Sequence, residues 1–280
     1  MMMNKHRGFT LIELIMVILI TGMVAATLVI FLQPALRSYV DTSRRADLTD
    51  MADTALRRMA QDIRSAVPNS IRQGGATCFQ LVPTNGGGRY RMEVDTENAG
   101  SNALDTTTTT TAFDVLSPLP QNPVGNQTVP VVGDWVVVDN QNGNDVYNNI
   151  NRGQIAGIAT HPDDSALGRH RITLNAPTQF PIGYQEGRFV VVPGAEQTVT
   201  YTCVGNRLFR VTAGFGAQPQ CNAPAGSSHI VATNVSNCVF RYTANESATE
   251  QSGYIGLQLS LTRGDDEVTL MHGVHVENVP

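Results

Sequence analysis

The chain has 280 residues and a net charge of −5, with 15% charged and 6% aromatic residues. That length suits one medium body plus an accessory segment. The acidic balance excludes a polycationic footprint for nucleic acid, while few aromatics and many Gly, Thr and Asn favour a β-rich, loop-rich body.

Residues 1–8 read as a short basic leader; Lys5 is the only lysine of the chain, and every later cation is Arg. From Phe9 to Leu32 the sequence is apolar but for Glu13 and a few small or hydroxyl positions, among them Thr21, Gly22 and Thr27. As a helix this run spans roughly 36 Å, enough for a hydrocarbon core of about 30 Å. It is too long for a cleaved secretory signal, whose apolar region has about 7–15 residues. Lys5 and Arg7, with no acid beside them, predict a cytoplasmic N-terminus and a single pass through the inner membrane. The remainder is then periplasmic.

Glu13 is the anomaly of the run. A carboxylate at bilayer depth costs on the order of 2.5–3.5 kcal/mol and calls for a partner. Cleavage between Gly8 and Phe9 would release an α-amino group at i−4 from Glu13, on the same chain or brought by a neighbouring subunit. Such a pairing offsets much of the burial cost and sets axial register between subunits.

Beyond Pro34, which predicts a kink, Leu48, Met51, Ala52, Ala55, Leu56, Met59, Ile63 and Val67 recur at helical spacing. Arg44, Arg45, Asp47, Asp50, Asp53, Arg57, Arg58 and Asp62 fill the opposite, solvated face, and Pro68 predicts the stop. The chain thus divides into a leader (1–8), a transmembrane helix (9–33), an amphipathic helix packing on the body (34–68) and a β-rich periplasmic domain (69–280). Strands are predicted at Cys78–Val82, Arg89–Val94, Ala112–Leu116, Trp135–Asp139, His170–Leu174, Arg188–Val192, Thr198–Cys203, Leu208–Val211 and Ser236–Tyr242. A C-terminal hairpin pairs Gly256–Thr262 with Glu267–Val276 around Arg263-Gly264-Asp265-Asp266. The Asn/Gly-rich stretch 140–151 reads as a loop.

Cys78, Cys203, Cys221 and Cys238 all follow the apolar run, and an even count in an exported body predicts two disulfides. Cys203–Cys221 with Cys78–Cys238 is the favoured pairing, because the first closes a short turn-containing segment worth about 3 kcal/mol of chain entropy.

Enzymatic motifs are missing: no G-x-S-x-G, P-loop or HExxH occurs. His272 and His275 sit at i, i+3 on a predicted strand, which turns them to opposite faces. Residues 139–145 (DNQNGND) have the composition of a calcium loop, with Asp163 and Asp164 as further candidates. Aligning Gly143 with the EF-hand glycine, however, puts Val138 at the first ligand position. Asn126, Asn234 and Asn245 head glycosylation sequons. No metal, cofactor or catalytic residue is expected.

Arg7-Gly8-Phe9-Thr10-Leu11-Ile12-Glu13 resembles the class III signal shared by type IV pilins and type II secretion pseudopilins. The resemblance implies an α+β pilin-like fold, in which a long N-terminal helix, membrane-spanning in its first half, packs on an antiparallel β-rich domain. It also implies prepilin peptidase cleavage after Gly8, N-methylation of Phe9, and a role for Glu13 in methylation and subunit docking. Its partners are other pilin subunits, met through the N-terminal helix, and an inner-membrane assembly platform. Gly22, Ala25 and Ala26 match the common pilin helix, although Ile30 stands where a proline is usual, with Pro34 four residues on. The segment Leu56–Ser70 and the ending Met271–Pro280 resemble minor pilin-like proteins of the mannose-sensitive haemagglutinin (MSHA) pilus system. The expected role is therefore a low-copy subunit of pilus assembly. A type II secretion pseudopilin and a tip adhesin are the alternatives, and the single Trp135 weighs against a carbohydrate platform.

Overall fold

The computed structural model describes residues 8–120, 129–162, 165–182, 187–216, 218–219, 221–222, 228–244 and 252–278. A single helix, α1 (Leu11–Arg64), runs through Pro34 without a break. It ends a turn before Pro68, because the chain there exchanges helical for β-type pairing. Ser65 N–H donates to Gln61 O at 3.1 Å, and then Val67 N–H donates to Val82 O at 2.8 Å and Thr84 N–H to Ser65 O at 2.9 Å.

Among the described residues fourteen strands follow in chain order. The first five are β1 (Arg72–Gly75), β2 (Cys78–Leu81), β3 (Gly86–Arg89), β4 (Thr110–Val115) and β5 (Trp135–Val137). Next come β6 (Arg152–Thr160), β7 (His170–Thr178), β8 (Arg188–Val192), β9 (Thr198–Val204) and β10 (Arg207–Ala213). The last are β11 (Ser228–Thr233), β12 (Val235–Thr243), β13 (Ser252–Arg263) and β14 (Asp266–Glu277). They form three sheets, in the orders β1-β2-β9-β10-β11, β12-β13-β14 and β3-β8-β5-β6-β7-β4. All the pairings are antiparallel. The fold is α+β and pilin-like, one long N-terminal helix on an antiparallel body.

The second half of α1 lies on the first two sheets. Leu48, Ala52, Ala55, Leu56, Met59 and Ile63 share a core with Phe79, Tyr201, Phe240 and the inward residues of β13, Ile255, Leu257, Leu259 and Leu261. The i, i+3, i+4 spacing of the helix meets the period-2 alternation of the strand, so each element buries one face. Phe79 stacks on Tyr201 at 5.3 Å and meets Phe240 edge-on at 5.1 Å.

The six-stranded sheet closes on itself. Tyr90, just after β3, bridges Val115 of β4, and Leu116 N–H donates to Arg89 O at 2.8 Å. This barrel has its own interior of Phe113, Val136, Ile155, Ile172 and Phe189, among others. A third cluster (Val67, Val82, Val137, Val146, Tyr147, Val192 and Phe215) joins barrel to helix-backed sheets.

Most predicted strands stand within a residue or two, and the C-terminal hairpin pairs Arg263 with Asp266 around its turn. The strand expected at Arg89–Val94 lies instead at Gly86–Arg89. A side chain at Gly87 would collide with the Phe189 carbonyl at 2.5 Å, so only glycine permits this close pairing with β8. Beyond it Met92 and Val94 are exposed. Strands β1, β6 and β11 were not expected: β6 is rich in small residues, and a register shift between Ile155 and Gly157 spoils its alternation.

The disulfides join Cys78 to Cys221 and Cys203 to Cys238, which corrects the pairing drawn from loop length. Sheet geometry decides the matter. Cys78 sits opposite Thr202 in the β2–β9 register, and the Thr202 hydroxyl donates to Cys221 O at 3.1 Å. Cys203, one residue on, faces the other side of the sheet, where β12 carries Cys238. A Cβ at Gly74 would collide with the Cys221 sulfur, so this glycine makes room for the first bridge. The bridges span 143 and 35 residues. On the chain-entropy relation, removing Cys78–Cys221 is expected to cost about 5 kcal/mol and Cys203–Cys238 about 4 kcal/mol. Thermal melting of the two paired Cys→Ala variants checks the order.

Candidate assembly site

The N-terminal segment emerges from Gly8 as non-helical chain and enters α1 through Thr10. Thr10 is the N-cap: its Oγ1 accepts from Glu13 N–H at 3.3 Å. Thr10 and Glu13 thereby form a T-x-x-E pattern at the helix start, the arrangement of a capping box. Glu13 also lies in the first turn, where the helix dipole favours a negative charge. Phe9 is 82% exposed, just outside the helix.

From Leu11 the helix presents apolar side chains all round, long enough to cross a bilayer and with none buried against the body. Its hydroxyls are satisfied within the helix. Thr21 Oγ1 donates to Val17 O at 2.6 Å, and Thr27 Oγ1 to Val24 O at 2.8 Å. Internal pairing of this kind is what a hydrocarbon environment requires of polar groups. The structure thus places Gly8, Phe9 and Glu13 within one short exposed segment at the start of an apolar helix long enough to cross a bilayer.

The other end of α1 is fastened by charge. Asp62, expected on the solvated face, is only 3% exposed. Its Oδ2 accepts from the Tyr201 hydroxyl and from Arg210 Nε, both at 2.8 Å. Arg210 in turn donates to both oxygens of Glu196, at 3.1 and 2.9 Å. Arg58 stands 3.5 Å from the other Asp62 oxygen. Burial pushes the Tyr201 phenol up, and the Asp62 carboxylate pushes it further the same way. The hydrogen bonds from Arg210 hold the Glu196 carboxyl below its ordinary range. Sequence periodicity misses this cluster, since a lone Asp one residue before Ile63 reads as the edge of the polar face. The signal available was the nearness of Asp62 to a buried stripe; its hydrogen-bond partners Tyr201 and Arg210 lie more than a hundred residues away.

The excursion after β5 is used internally. Asp145 Oδ2 accepts from Asn142 N–H and its side-chain amide at 3.2 and 2.9 Å. Asn140 donates to Pro68 O at 2.7 Å and accepts from Val146 N–H and Asn151 at 3.0 Å. Among the described residues no group of three His, Cys, Asp or Glu side chains is placed to hold a metal ion. Asp163, Asp164, Asn126 and Asn245 lie outside the described residues. Asn234 is described, in a turn at φ 59°. His272 is half-buried, while His275 is exposed and packs on Tyr254 at 5.4 Å, so the two do not converge.

The family model for the prokaryotic N-terminal methylation motif matches residues 3–29. Neither a curated protein nor a solved structure matches the chain. The matched stretch contains Gly8, Phe9, Glu13 and the exposed apolar turns that follow, and it leaves the whole body outside. In its N-terminal segment the chain is type IV pilin-like, of the kind that pilins and pseudopilins share.

Proposed function

We propose that the chain is a minor subunit of a type IV pilus of the MSHA type, resembling MshO. Prepilin peptidase cuts it between Gly8 and Phe9, Phe9 is N-methylated, and the subunit joins the pilus or the complex that initiates it. The helix holds it in the inner membrane with the body in the periplasm, and it enters the fibre through the same helix. The observation that carries this reading is the methylation motif over residues 3–29 at the start of an apolar, unpacked helix. The assignment to the MSHA system rests on the resemblance of residues 56–70 and 271–280 alone. No catalytic residue is proposed.

The test is the mass of the protein recovered from membranes that contain a prepilin peptidase. The expected species begins at Phe9 and carries an added methyl group, while Gly8→Asp leaves an unprocessed precursor. Wild-type protein with Met1 intact would sink the reading. Deletion of the gene separates the two filament systems: loss of piliation supports the pilus, whereas loss of exoprotein secretion with normal pili assigns the chain to type II secretion.

A further inference from the structure

The two disulfides are interlaced along the chain. The first cysteine in sequence, Cys78, bridges the third, Cys221, and the second, Cys203, bridges the fourth, Cys238. Each bridge thus joins an early cysteine to a late one. In the periplasmic placement proposed above, on which this inference rests, the body is exported from the end of α1 onward. Cys78 and Cys203 then emerge, with the barrel strands β3 to β8 between them, before Cys221 and Cys238. During that interval the one bridge open to the exported thiols is Cys78–Cys203, which the folded chain does not contain. The bacterial periplasm is kept oxidising kinetically, so thiols are bridged as they appear.

The fold brings these two cysteines close and yet forbids their bridge. In the β2–β9 register Cys78 stands opposite Thr202, and Cys203 N–H donates to Thr77 O at 3.1 Å. Consecutive residues of a strand point to opposite faces, so the side chains of Cys78 and Cys203 lie on different sides of the sheet. Bridging them calls for a slip of one residue that sets them directly opposite each other. That slip would turn Phe79 and Tyr201, which stack at 5.3 Å in the core, to different faces. Tyr201 would also be drawn from Asp62, which accepts from its hydroxyl at 2.8 Å. The first bridge that oxidation allows is therefore one that the core rejects.

With Cys78–Cys203 formed, Cys221 and Cys238 are left to bridge each other across a short loop, whose closure costs little chain entropy. All four cysteines of the chain are then used, and no thiol remains to start an exchange. The attacking thiolate must come from another molecule. We propose that the chain is a substrate of a periplasmic dithiol isomerase, which converts consecutive pairing into the interlaced pairing of the folded body. The isomerase thiolate attacks the Cys203 sulfur, the Cys78–Cys203 bond breaks, and Cys78 leaves as a thiolate. Cys78 then attacks Cys221, and Cys238 leaves as a thiolate. Cys238 attacks Cys203, closing the second native bridge and releasing the isomerase thiolate. Two disulfides enter and two result, so neither oxidant nor reductant is consumed. The stacking of Phe79 on Tyr201 and the core around them favour the product.

The test expresses the full chain in a bacterial host with its periplasmic disulfide isomerase present or deleted. Free thiols are alkylated in intact cells, and mass spectrometry of non-reduced peptides reads each pairing as a fraction of the chain made in a short labelling pulse. Cys78–Cys221 and Cys203–Cys238 are expected to fall about tenfold without the isomerase, with Cys78–Cys203 in their place. The double variant Cys78→Ala with Cys221→Ala keeps only Cys203 and Cys238 and so has no wrong partner. It should bridge equally in both hosts, whether or not its body is fully stable. Native pairing at full yield without the isomerase, or a double variant that depends on the enzyme as strongly as wild type, would overturn the proposal and leave the proposed function standing. Four alkylated thiols in both hosts would mean that the body is not exported, and would overturn both.

Discussion

Asp62→Ala is expected to destabilise the folded body by about 3–5 kcal/mol, the usual result of removing one partner from a buried, hydrogen-bonded charge pair. The substitution takes away little packing volume, so nearly all of the loss is electrostatic. Arg210 is buried beside Asp62, with Nε 2.8 Å from its carboxylate, and would keep Glu196 as its other partner. Tyr201 is fully buried and would lose the acceptor for its hydroxyl. For a body of this size the thermal midpoint should fall by roughly 10 °C. Tyr201→Phe removes a single donor from a carboxylate that keeps Arg210, and is expected to cost only about 1 kcal/mol. Pairing Asp62→Ala with Arg210→Met should recover part of the loss, because no buried charge is then left without its partner. Melting curves of the four proteins decide it. Equal midpoints for Asp62→Ala and Tyr201→Phe would mean that the ion pair adds nothing to the hydrogen bond.

The fold was legible wherever one periodicity ran long enough to be counted. The stripe from Leu48 to Ile63 gave the buried face of α1, and the alternation of Gly256–Thr262 gave the hairpin that receives it. What could not be read depends on contacts distant in sequence. The disulfide pairing turns on which face of β9 carries Cys203, a consequence of its register with β2. The barrel rests on closure between Tyr90 and Val115, and nothing local to either residue announces it. Asp62 looked solvated because its partners, Tyr201 and Arg210, come from two strands near the far end of the chain. The N-terminal segment is the opposite case. Its chemistry is written in consecutive residues, so the structure adds only the cap geometry of Thr10 and Glu13.

That cap geometry offers a second, purely local reason for Glu13, and one substitution separates the two. As the fourth residue of a T-x-x-E box, three positions after the Thr10 cap, Glu13 supports the helix start, and Gln serves the same role. As the proposed docking carboxylate, it must carry charge to meet the Phe9 amine of a neighbouring subunit inside a low-dielectric bundle, where a neutral amide leaves that amine buried without its counter-ion. Both Glu13→Gln and Glu13→Ala are therefore expected to insert in the membrane and to be cut at Gly8, since the leader and the apolar run are intact. Both are then expected to enter filaments at least tenfold less than wild type, because loss of a buried charge partner costs about 3–5 kcal/mol. A capping role alone predicts a different pattern: Glu13→Gln behaves as wild type, and Glu13→Ala is impaired only by the roughly 1 kcal/mol of a weakened cap. Quantifying the subunit in sheared filaments and in the membrane fraction distinguishes these outcomes, and normal incorporation of Glu13→Gln would remove the docking role from Glu13.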